Sequence, residues 1–352
     1  MKMFLKFKIV LIFVYLGLTI SCSKKTVPSR SVVCMDTLCS VNLFEDGTEK
    51  LYEEIFARLK GLENKFSITE EESYVNLINN NAGVQPVRIS EDVFNVLYLS
   101  SKVSEFTEGA FDVTANPVIR LWGINTEKER VPTQKEIDNA LLFVGNDRMH
   151  FAEDGVPWCI LEKGMSINFG GIAKGYAADC VCEILEEHKV RKAVIDLGGN
   201  VYVYGKKDDG TLWSVGIKNP DKLQNNVILK LRTEETSVVT SGRYERFFEK
   251  DGNVYHHIFD PKTGYPVKNG LASVTVICKT SSIADALSTA FFVMGEERAL
   301  SVLKSLEDFF NAELGIVFIY EDGKIRATDN LKGKLEGGDI TFVKPDTVKK
   351  EV

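Results

Sequence analysis

Two segments combine residue types that are suited to binding a phosphate and a metal ion. In residues 168–176 (NFGGIAKGY), two adjacent glycines precede a helical pattern that carries Lys174 in its first turn. Adjacent glycines let a ligand approach the backbone, and a helix N-terminus offers free N–H groups to an anion. The alternative is that the glycines only make a tight turn between a strand and a helix, because the spacing matches neither the Walker nor the Rossmann pattern.

The second segment, residues 283–294, is apolar nearly all round, which predicts a buried helix. Asp285 and Thr289 lie one turn apart in it and so share one face. A carboxylate and a hydroxyl are hard oxygen ligands, better suited to Mg²⁺ than to zinc. The alternative is that Asp285 caps a helix or pairs with an arginine in the core, because a buried carboxylate needs a partner.

A third group of residues offers a general base. His256 and His257 follow the segment 240–244 (TSGRY) and precede the turn signature 260–264 (DPKTG). Histidine is the natural general base near neutral pH. Successive strand residues point to opposite sides, so only one of the two histidines can face a given pocket. The alternative is a pair of partly exposed strand histidines. Residues 109–117 (GAFDVTANP) form a fourth segment that could belong to a site. Its composition does not distinguish a binding site from a capped loop with aromatic residues in the core.

The elements that must position these segments form an α+β pattern, since strands and helices are partly segregated. Apolar periodicity predicts helices at 48–62, 73–80, 92–105, 133–142, 172–188, 283–294 and 296–306. It predicts strands at 31–42, 149–152, 159–162, 193–196, 201–205, 213–218, 228–232, 237–241, 245–249, 254–259, 272–278, 314–320 and 325–328.

The composition excludes several classes of protein. The 352 residues are 44% hydrophobic and 26% charged, near the averages of globular proteins, which excludes a disordered or fibrous chain. The formal net charge of −7 does not favour binding to a phosphate backbone, so we expect no nucleic-acid partner.

The N-terminus predicts export. Three lysines precede the apolar run 9–20, which is too short to span a bilayer and is typical of a secretory signal. Residues 19–22 (TISC) resemble a bacterial lipoprotein signal, although Thr19 replaces the usual leucine. We therefore expect a signal peptide at 1–21, lipidation of Cys22, a tether at 22–30 and an inner-membrane lipoprotein facing the periplasm. An ordinary signal peptide and an uncleaved anchor are the alternatives.

Taken together and in this order, the segments resemble the ApbE family of FAD:protein FMN transferases. The resemblance runs from about Met35 to Phe318 and rests on residues 35–37, 66–67, Ser73 with Asn79, 109–114, 170–176, 196–200, 240–242, 257–264 and 284–290. It implies mixed sheets with packed helices over residues 31–345, an FAD and Mg²⁺ site in a cleft between the lobes, and a tail at 346–352.

The resemblance also implies an activity and its residues. Such enzymes use Mg²⁺ and FAD, join FMN through its phosphate to a Thr or Ser of an acceptor protein, and release AMP. The acceptor motif resembles Asp-Gly-x-Ser/Thr-Gly-Ala-Thr. By this resemblance Asp285, Thr289 and the Gly171 carbonyl hold Mg²⁺, and His257 is the base. Residues in positions that would contact FAD are Met35, Thr69, Ala110, Phe111, Asp112, Asn168, Lys174, Ser241, Gly242 and Ile258.

Two residues depart from the family pattern. Asn168 stands where the family often has Asp, and Thr69 stands where many members place an aromatic residue that stacks on the flavin. Loss of that ring leaves space for water beside the pyrophosphate. One alternative function is therefore an Mg²⁺-dependent FAD pyrophosphatase that gives FMN and AMP. A second is a lipid-anchored FAD-binding protein without turnover.

Overall fold

The computed structural model describes residues 28–221 and 226–345. The predicted signal peptide, Cys22 and the tail at 346–352 lie outside the described residues. The α+β prediction is confirmed, because the chain forms seven helices, a large mixed sheet and three smaller sheets in its described part. No helix in the described part of the chain is long and apolar enough to cross a membrane.

The helices and strands follow the sequence pattern closely. The helices are α1 (Glu49–Phe66), α2 (Tyr74–Asn80), α3 (Glu91–Phe106), α4 (Asn116–Trp122), α5 (Gln134–Leu141), α6 (Ala173–Glu187) and α7 (Ser281–Phe310). Gly295 has a non-helical backbone and kinks α7, so the two helices predicted at 283–294 and 296–306 are the parts of α7 on either side of it. The first strands are β1 (Arg30–Cys34), β2 (Thr37–Asn42), β3 (Val87–Arg88), β4 (Met149–Ala152), β5 (Trp158–Leu161), β6 (Lys192–Leu197), β7 (Asn200–Gly205) and β8 (Trp213–Lys218). The others are β9 (Val227–Thr233), β10 (Thr236–Gly242), β11 (Phe247–Lys250), β12 (Asn253–His256), β13 (Leu271–Cys278), β14 (Gly315–Tyr320), β15 (Ile325–Thr328), β16 (Leu335–Glu336) and β17 (Ile340–Val343).

The large sheet has nine strands in the order β1-β2-β6-β7-β10-β13-β14-β15-β17, with only β15 and β17 parallel. Its central strands are buried on both faces. In β14, Ile316 and Phe318 enter the core beneath the helices, whereas Val317 and Ile319 enter a second core against β8 and β9. Since successive strand residues alternate sides, an apolar strand of this kind needs cover on both faces.

Capping residues fix where several helices begin. The Thr48 hydroxyl accepts the Leu51 N–H at the start of α1, and the Ser73 hydroxyl accepts the Asn76 N–H at the start of α2. Thr133 and Glu136 form a reciprocal capping box on α5. Each satisfies a backbone donor that the helix leaves unpaired.

Two predictions of local structure need correction. The single strand expected at 31–42 is a hairpin, in which Met35 and Asp36 make a two-residue turn with φ of 54° and 57°. Neither is the Gly or Asn that usually marks such a turn, so the pattern concealed it. The strand expected at 254–259 ends at His256, and His257 lies just beyond it.

Helices α6 and α7 approach so closely at Gly175 that no side chain fits between them. A Cβ atom at this position would lie 2.4 Å from the Ser281 carbonyl oxygen and 2.7 Å from the Cβ of Asp285. On the other side of α6, Tyr176 donates to the buried carboxylate of Asp92 on α3. Arg58 and Lys65 of α1 pair with that carboxylate at 2.6 and 2.5 Å. Helix α6 is therefore fixed from two sides.

We expect Gly175→Ala to destabilise the fold by about 1–3 kcal/mol, because an added methyl group forces α6 and α7 apart. The measurement is the free energy of unfolding in urea. Gly61→Ala is the matched control, since Gly61 lies in α1 with nothing within 4 Å of an added Cβ. It should stabilise the protein by up to about 1 kcal/mol. Equal effects of the two substitutions would contradict the close packing at Gly175.

Candidate active site

The three residues expected to hold a metal ion come together where α6 begins and α7 passes it. Asp285 is 4% exposed, and its Oδ2 accepts the Gly175 N–H at 2.8 Å. Thr289 follows one turn later on α7. A Cβ atom at Gly171 would lie 3.5 Å from the Thr289 Oγ1, which places the backbone before α6 against that hydroxyl. The site thus brings a carboxylate and a hydroxyl close to the backbone at Gly171.

This donor set fits Mg²⁺ better than a transition metal. Within the described residues no group of three or more His, Cys, Asp or Glu side chains is arranged to hold a metal ion. A structural zinc site would need such a group. Mg²⁺ is commonly bound by one or two carboxylates, with water and substrate phosphates completing the shell. Asp285, Thr289 and the Gly171 carbonyl would therefore hold Mg²⁺ as part of a shared site with a phosphate ligand.

Strand β10 brings Ser241 and Gly242 to the same place. The Ser241 hydroxyl lies 3.1 Å from the Thr289 hydroxyl and 2.8 Å from that of Ser288. A Cβ atom at Gly242 would lie 2.6 Å from the Tyr244 ring, so glycine lets the chain turn back beneath that ring. These hydroxyl contacts fix the rotamer of Thr289.

The two histidines have different surroundings. The Nε2 of His256 lies 2.9 Å from the Val267 carbonyl oxygen, and its Nδ1 accepts the Ile258 N–H at 3.3 Å. His256 is buried and both ring nitrogens are used by the backbone, so its part is structural. His257 is half-buried, and its Nδ1 lies 3.1 Å from the Arg246 carbonyl oxygen. A carbonyl accepts only, so Nδ1 carries the proton and Nε2 is left as a base.

Positive charges surround this base. Burial lowers the pKa of His257 to about 4, and the charges of Arg246 and Lys174 act in the same direction. The Lys174 ammonium lies in the first turn of α6, 3.4 Å from the Gly170 carbonyl oxygen. Burial raises the pKa of Glu245, and the charges of Lys174, Arg246 and Asp285 also act on it. His257 and Glu245 are thus both close enough to Lys174, at the start of α6, for its charge to act on their pKa values.

The turn after His257 is held by a separate aromatic cluster. The Trp122 indole N–H donates to the Gly264 carbonyl oxygen at 2.8 Å, and the ring packs against Tyr255, Phe259 and Tyr265. Gly264 has a φ of +70°. The turn predicted at 260–264 is therefore present, and it fixes the chain on the C-terminal side of the candidate base.

Several residues expected to contact FAD lie around this arrangement. Ala110, Phe111 and Ile258 are buried, and the Phe111 ring edge lies 3.1 Å from a Cβ built at Gly171. The Asn168 side-chain oxygen accepts the Gly170 N–H at 2.7 Å and so shapes the backbone turn that leads into α6. An aspartate at this position would offer the same acceptor oxygen and add a negative charge.

The structure places three other candidates in local structural contacts. The Asp112 carboxylate accepts the Thr114 N–H and hydroxyl, and burial raises its pKa. The Met35 N–H, in the β1–β2 turn, donates to Glu63 at 2.8 Å. Thr69 is exposed, and its hydroxyl lies 2.9 Å from that of Ser67. Their contact with a flavin stays a prediction.

Sequence reasoning missed two residues that shape the site. The carbonyl of Arg246 fixes the tautomer of His257. The Asp179 carboxylate, on α6, accepts the first N–H groups of α7. Asp179 stands four residues after Gly175, on the same helix face, which was a usable signal. The Arg246 contact was not visible in the sequence, because any residue type has a carbonyl.

The chain is similar to the members of one known protein family. The family model described as "ApbE family" matches residues 35–312. The chain belongs to the ApbE family. It is 31% identical over 332 residues to the FAD:protein FMN transferase of Treponema pallidum, covering 90% of each chain. It is 35% identical over 286 residues to the enzyme of that name from Klebsiella pneumoniae, covering 81% of this chain and 88% of the other.

The fold is shared with solved members of the family. The crystal structure of the ApbE protein from Thermotoga maritima superimposes with a TM-score of 0.78 at 31% identity. The match covers 87% of this chain and 98% of the other. The predicted ApbE-like architecture is confirmed.

We expect the His257 imidazole to titrate at about pH 4 and Arg246→Ala to raise that midpoint, because the substitution removes a nearby positive charge. The measurement is a proton NMR titration of the histidine ring signals. Arg243→Ala is the matched control, since the Arg243 charge acts on His256. A His257 midpoint near 6.5, unmoved by Arg246→Ala, would contradict the electrostatics described above.

Proposed function

We propose that this protein is an Mg²⁺-dependent FAD:protein FMN transferase. One observation carries the proposal: a base with a free Nε2, a lysine at a helix N-terminus and an oxygen-donor metal site are arranged around one place. A transferase of this kind needs each of them. The names of the Treponema and Klebsiella relatives support the same activity.

The metal site would be formed by Asp285, Thr289 and the Gly171 carbonyl. Bound Mg²⁺ supplies neutralisation of charge on the pyrophosphate oxygens of FAD. Contacts within the chain orient the side chains of this site without substrate. The Gly175 N–H orients the Asp285 carboxylate, and the Ser241 hydroxyl orients Thr289. Lys174 adds a positive charge at the helix N-terminus, where phosphate oxygens are favoured.

His257 would accept the proton of the acceptor hydroxyl. With Nδ1–H held by the Arg246 carbonyl, Nε2 is the only basic atom of the ring. A pKa of about 4 keeps the imidazole neutral, and therefore able to accept, at every pH near neutrality. The acceptor oxygen forms a bond to the FMN phosphorus, the bond from that phosphorus to the AMP oxygen breaks, and the proton passes to Nε2.

The acceptor would be a flavoprotein with a motif similar to Asp-Gly-x-Ser/Thr-Gly-Ala-Thr. We also propose that Cys22 is lipidated and that the enzyme is anchored to the inner membrane facing the periplasm. The apolar run 9–20 and the residues TISC support this location. The proposed domain spans residues 31–345, with residues 22–30 as the tether.

A second candidate function is FAD pyrophosphatase activity at the same site, with water in place of the acceptor hydroxyl. The exposed Thr69 supports it, because a threonine there supplies no ring to cover the flavin and exclude water. The same donor set and base serve both reactions, since they differ only in the nucleophile.

The deciding experiment incubates the chain from residue 23 onward with FAD, Mg²⁺ and a fragment carrying Asp-Gly-x-Ser-Gly-Ala-Thr. We expect the intact mass of the fragment to rise by one FMN unit with release of AMP, and EDTA to abolish both. Free FMN and AMP with an unmodified fragment would favour the pyrophosphatase. Co-purified FAD with neither product would favour a binding protein without turnover.

We expect Asp285→Asn to abolish Mg²⁺-dependent turnover while the protein stays folded. The amide oxygen still accepts the Gly175 N–H, but the negative charge that attracts the cation is lost. The measurements are AMP release and thermal unfolding. Asp308→Asn is the control, because Asp308 is an exposed carboxylate near the end of α7 that pairs with Lys304. Full activity of Asp285→Asn would refute the metal assignment.

We expect His257→Ala to lower the rate of FMN transfer by about 10²–10⁴-fold while FAD affinity changes little, because the ring acts on the acceptor proton. The measurement is kcat alongside the FAD dissociation constant. His150→Ala is the matched control, since His150 is exposed on β4. Equal losses of rate and affinity would argue that His257 binds FAD and does not serve as a base.

A further inference from the structure

We propose that Asp179 is a positioning residue for the metal site, which it serves by holding the first turn of α7 and thereby placing Asp285 and Thr289 relative to Gly171. The proposal rests on the function proposed above and adds a residue to it.

The Asp179 carboxylate lies under the N-terminus of α7. Its Oδ1 accepts the Ser281 N–H at 2.7 Å, and its Oδ2 accepts the Ser282 N–H at 2.8 Å and the Ser282 hydroxyl at 2.6 Å. Helix α7 has no capping contact from its own preceding residue, Thr280. A carboxylate from the neighbouring helix therefore does the work of an N-cap and also meets the positive end of the helix dipole.

A second set of buried contacts holds the same turn from the sheet. The Ser281 hydroxyl donates to the Asn200 side-chain oxygen at 2.9 Å and lies 2.8 Å from the Ser237 hydroxyl. All three residues are at most 1% exposed. Strands β7 and β10 thus fix the side of the turn that faces the sheet, and Asp179 fixes the side that faces α6.

The turn held in this way leads directly to the metal-suited residues. Three residues after Ser282, Asp285 accepts the N–H of Gly175. In the described residues, the hydrogen bonds between α6 and α7 lie at Asp179 and at Gly175, and these two positions are one turn apart on each helix. Gly171 lies just before α6. The distance from its carbonyl to the α7 ligands is consequently set by the relative position of the two helices.

Every contact that the structure gives Asp179 comes from a donor, so only the ionised carboxylate satisfies all three. Burial raises the pKa of this group to about 6, and the nearby charge of Glu183 adds to the rise. The other titratable groups that face it are Cys182 on α6, Tyr202 on β7 and Cys278 on β13.

The direction of the pH dependence distinguishes a role of Asp179 in positioning the metal site from a role in stabilising the fold. A carboxyl group whose pKa is higher in the folded state stabilises the fold most below its unfolded value of about 3.9, and that contribution is lost as the pH rises through about 6. Metal binding should change in the opposite direction, because the ionised form holds α7. Retention of a charge that opposes stability is characteristic of a functional site.

The test is calorimetric titration of Mg²⁺ into the FAD-saturated full chain between pH 5 and 8. We expect the wild-type affinity to fall about tenfold per pH unit below pH 6, since one proton is linked to binding. Asp179→Asn should weaken Mg²⁺ binding at pH 7.5 at least tenfold and remove the step near pH 6. Asp179→Glu should restore part of the affinity and the step.

Two variants should move the midpoint of the step in opposite directions. Ser282→Ala removes a hydrogen bond to the ionised carboxylate and should raise the midpoint, whereas Glu183→Gln removes a negative charge and should lower it. Glu183→Gln should also leave the affinity at pH 7.5 unchanged, which makes it the charge-matched control on the same helix. The directions of these two midpoint shifts test the role of Asp179 even if Asp179→Asn does not fold.

Two results would overturn the proposal: wild-type affinity in Asp179→Asn, or a flat wild-type affinity between pH 5 and 7. The readout is independent of FMN transfer. A protein that binds FAD and Mg²⁺ with this pH dependence but modifies no acceptor would refute the proposed function and leave the role of Asp179 standing.

Discussion

The backbone contact between α6 and α7 at Gly175 is the constraint on which the site depends. Only a residue without a side chain lets the Gly175 N–H reach the Asp285 carboxylate while the Ser281 carbonyl lies alongside. The contact joins the glycine turn at residues 170–171 to the helix that carries Asp285 and Thr289, the side chains proposed to hold the metal ion. The Asp92 ion pairs on the other side of α6 keep that helix in place.

The two adjacent histidines show how burial and backbone contacts divide chemical roles between identical side chains. Both ring nitrogens of His256 are hydrogen-bonded to the backbone of Val267 and Ile258, so this side chain keeps the chain in position. His257 uses one nitrogen on a carbonyl and leaves the other free. Burial lowers the pKa of His257, and the charges of Arg246 and Lys174 lower it further, so the free nitrogen is unprotonated near neutral pH. A low pKa weakens a base, but it guarantees the form that can accept a proton.

The main role of the large sheet is to hold the elements that carry the site residues rigidly in place. It is covered on both faces, by α6 and α7 on one side and by the β8–β9 sheet on the other. Strands β10 and β13 pack directly under α7, so the hydroxyls of Ser241 and Thr289 meet across rigid elements. The Trp122 cluster does the same for the turn after His257. Both halves of the site are therefore carried by buried structure.

The sequence by itself determined the α+β class, most helices and strands, and the family, because apolar periodicity and motif order are local properties. It wrongly predicted one strand in place of the β1–β2 hairpin, since Met35 and Asp36 adopt left-handed conformations without glycine. Apart from the family resemblance, which pointed to His257, it also left open which histidine is free, because that depends on the end of β12 and on a carbonyl at Arg246. The role of Asp179 was decided only by tertiary structure, because its partners on α7 are about 100 residues away and meet it through helix packing.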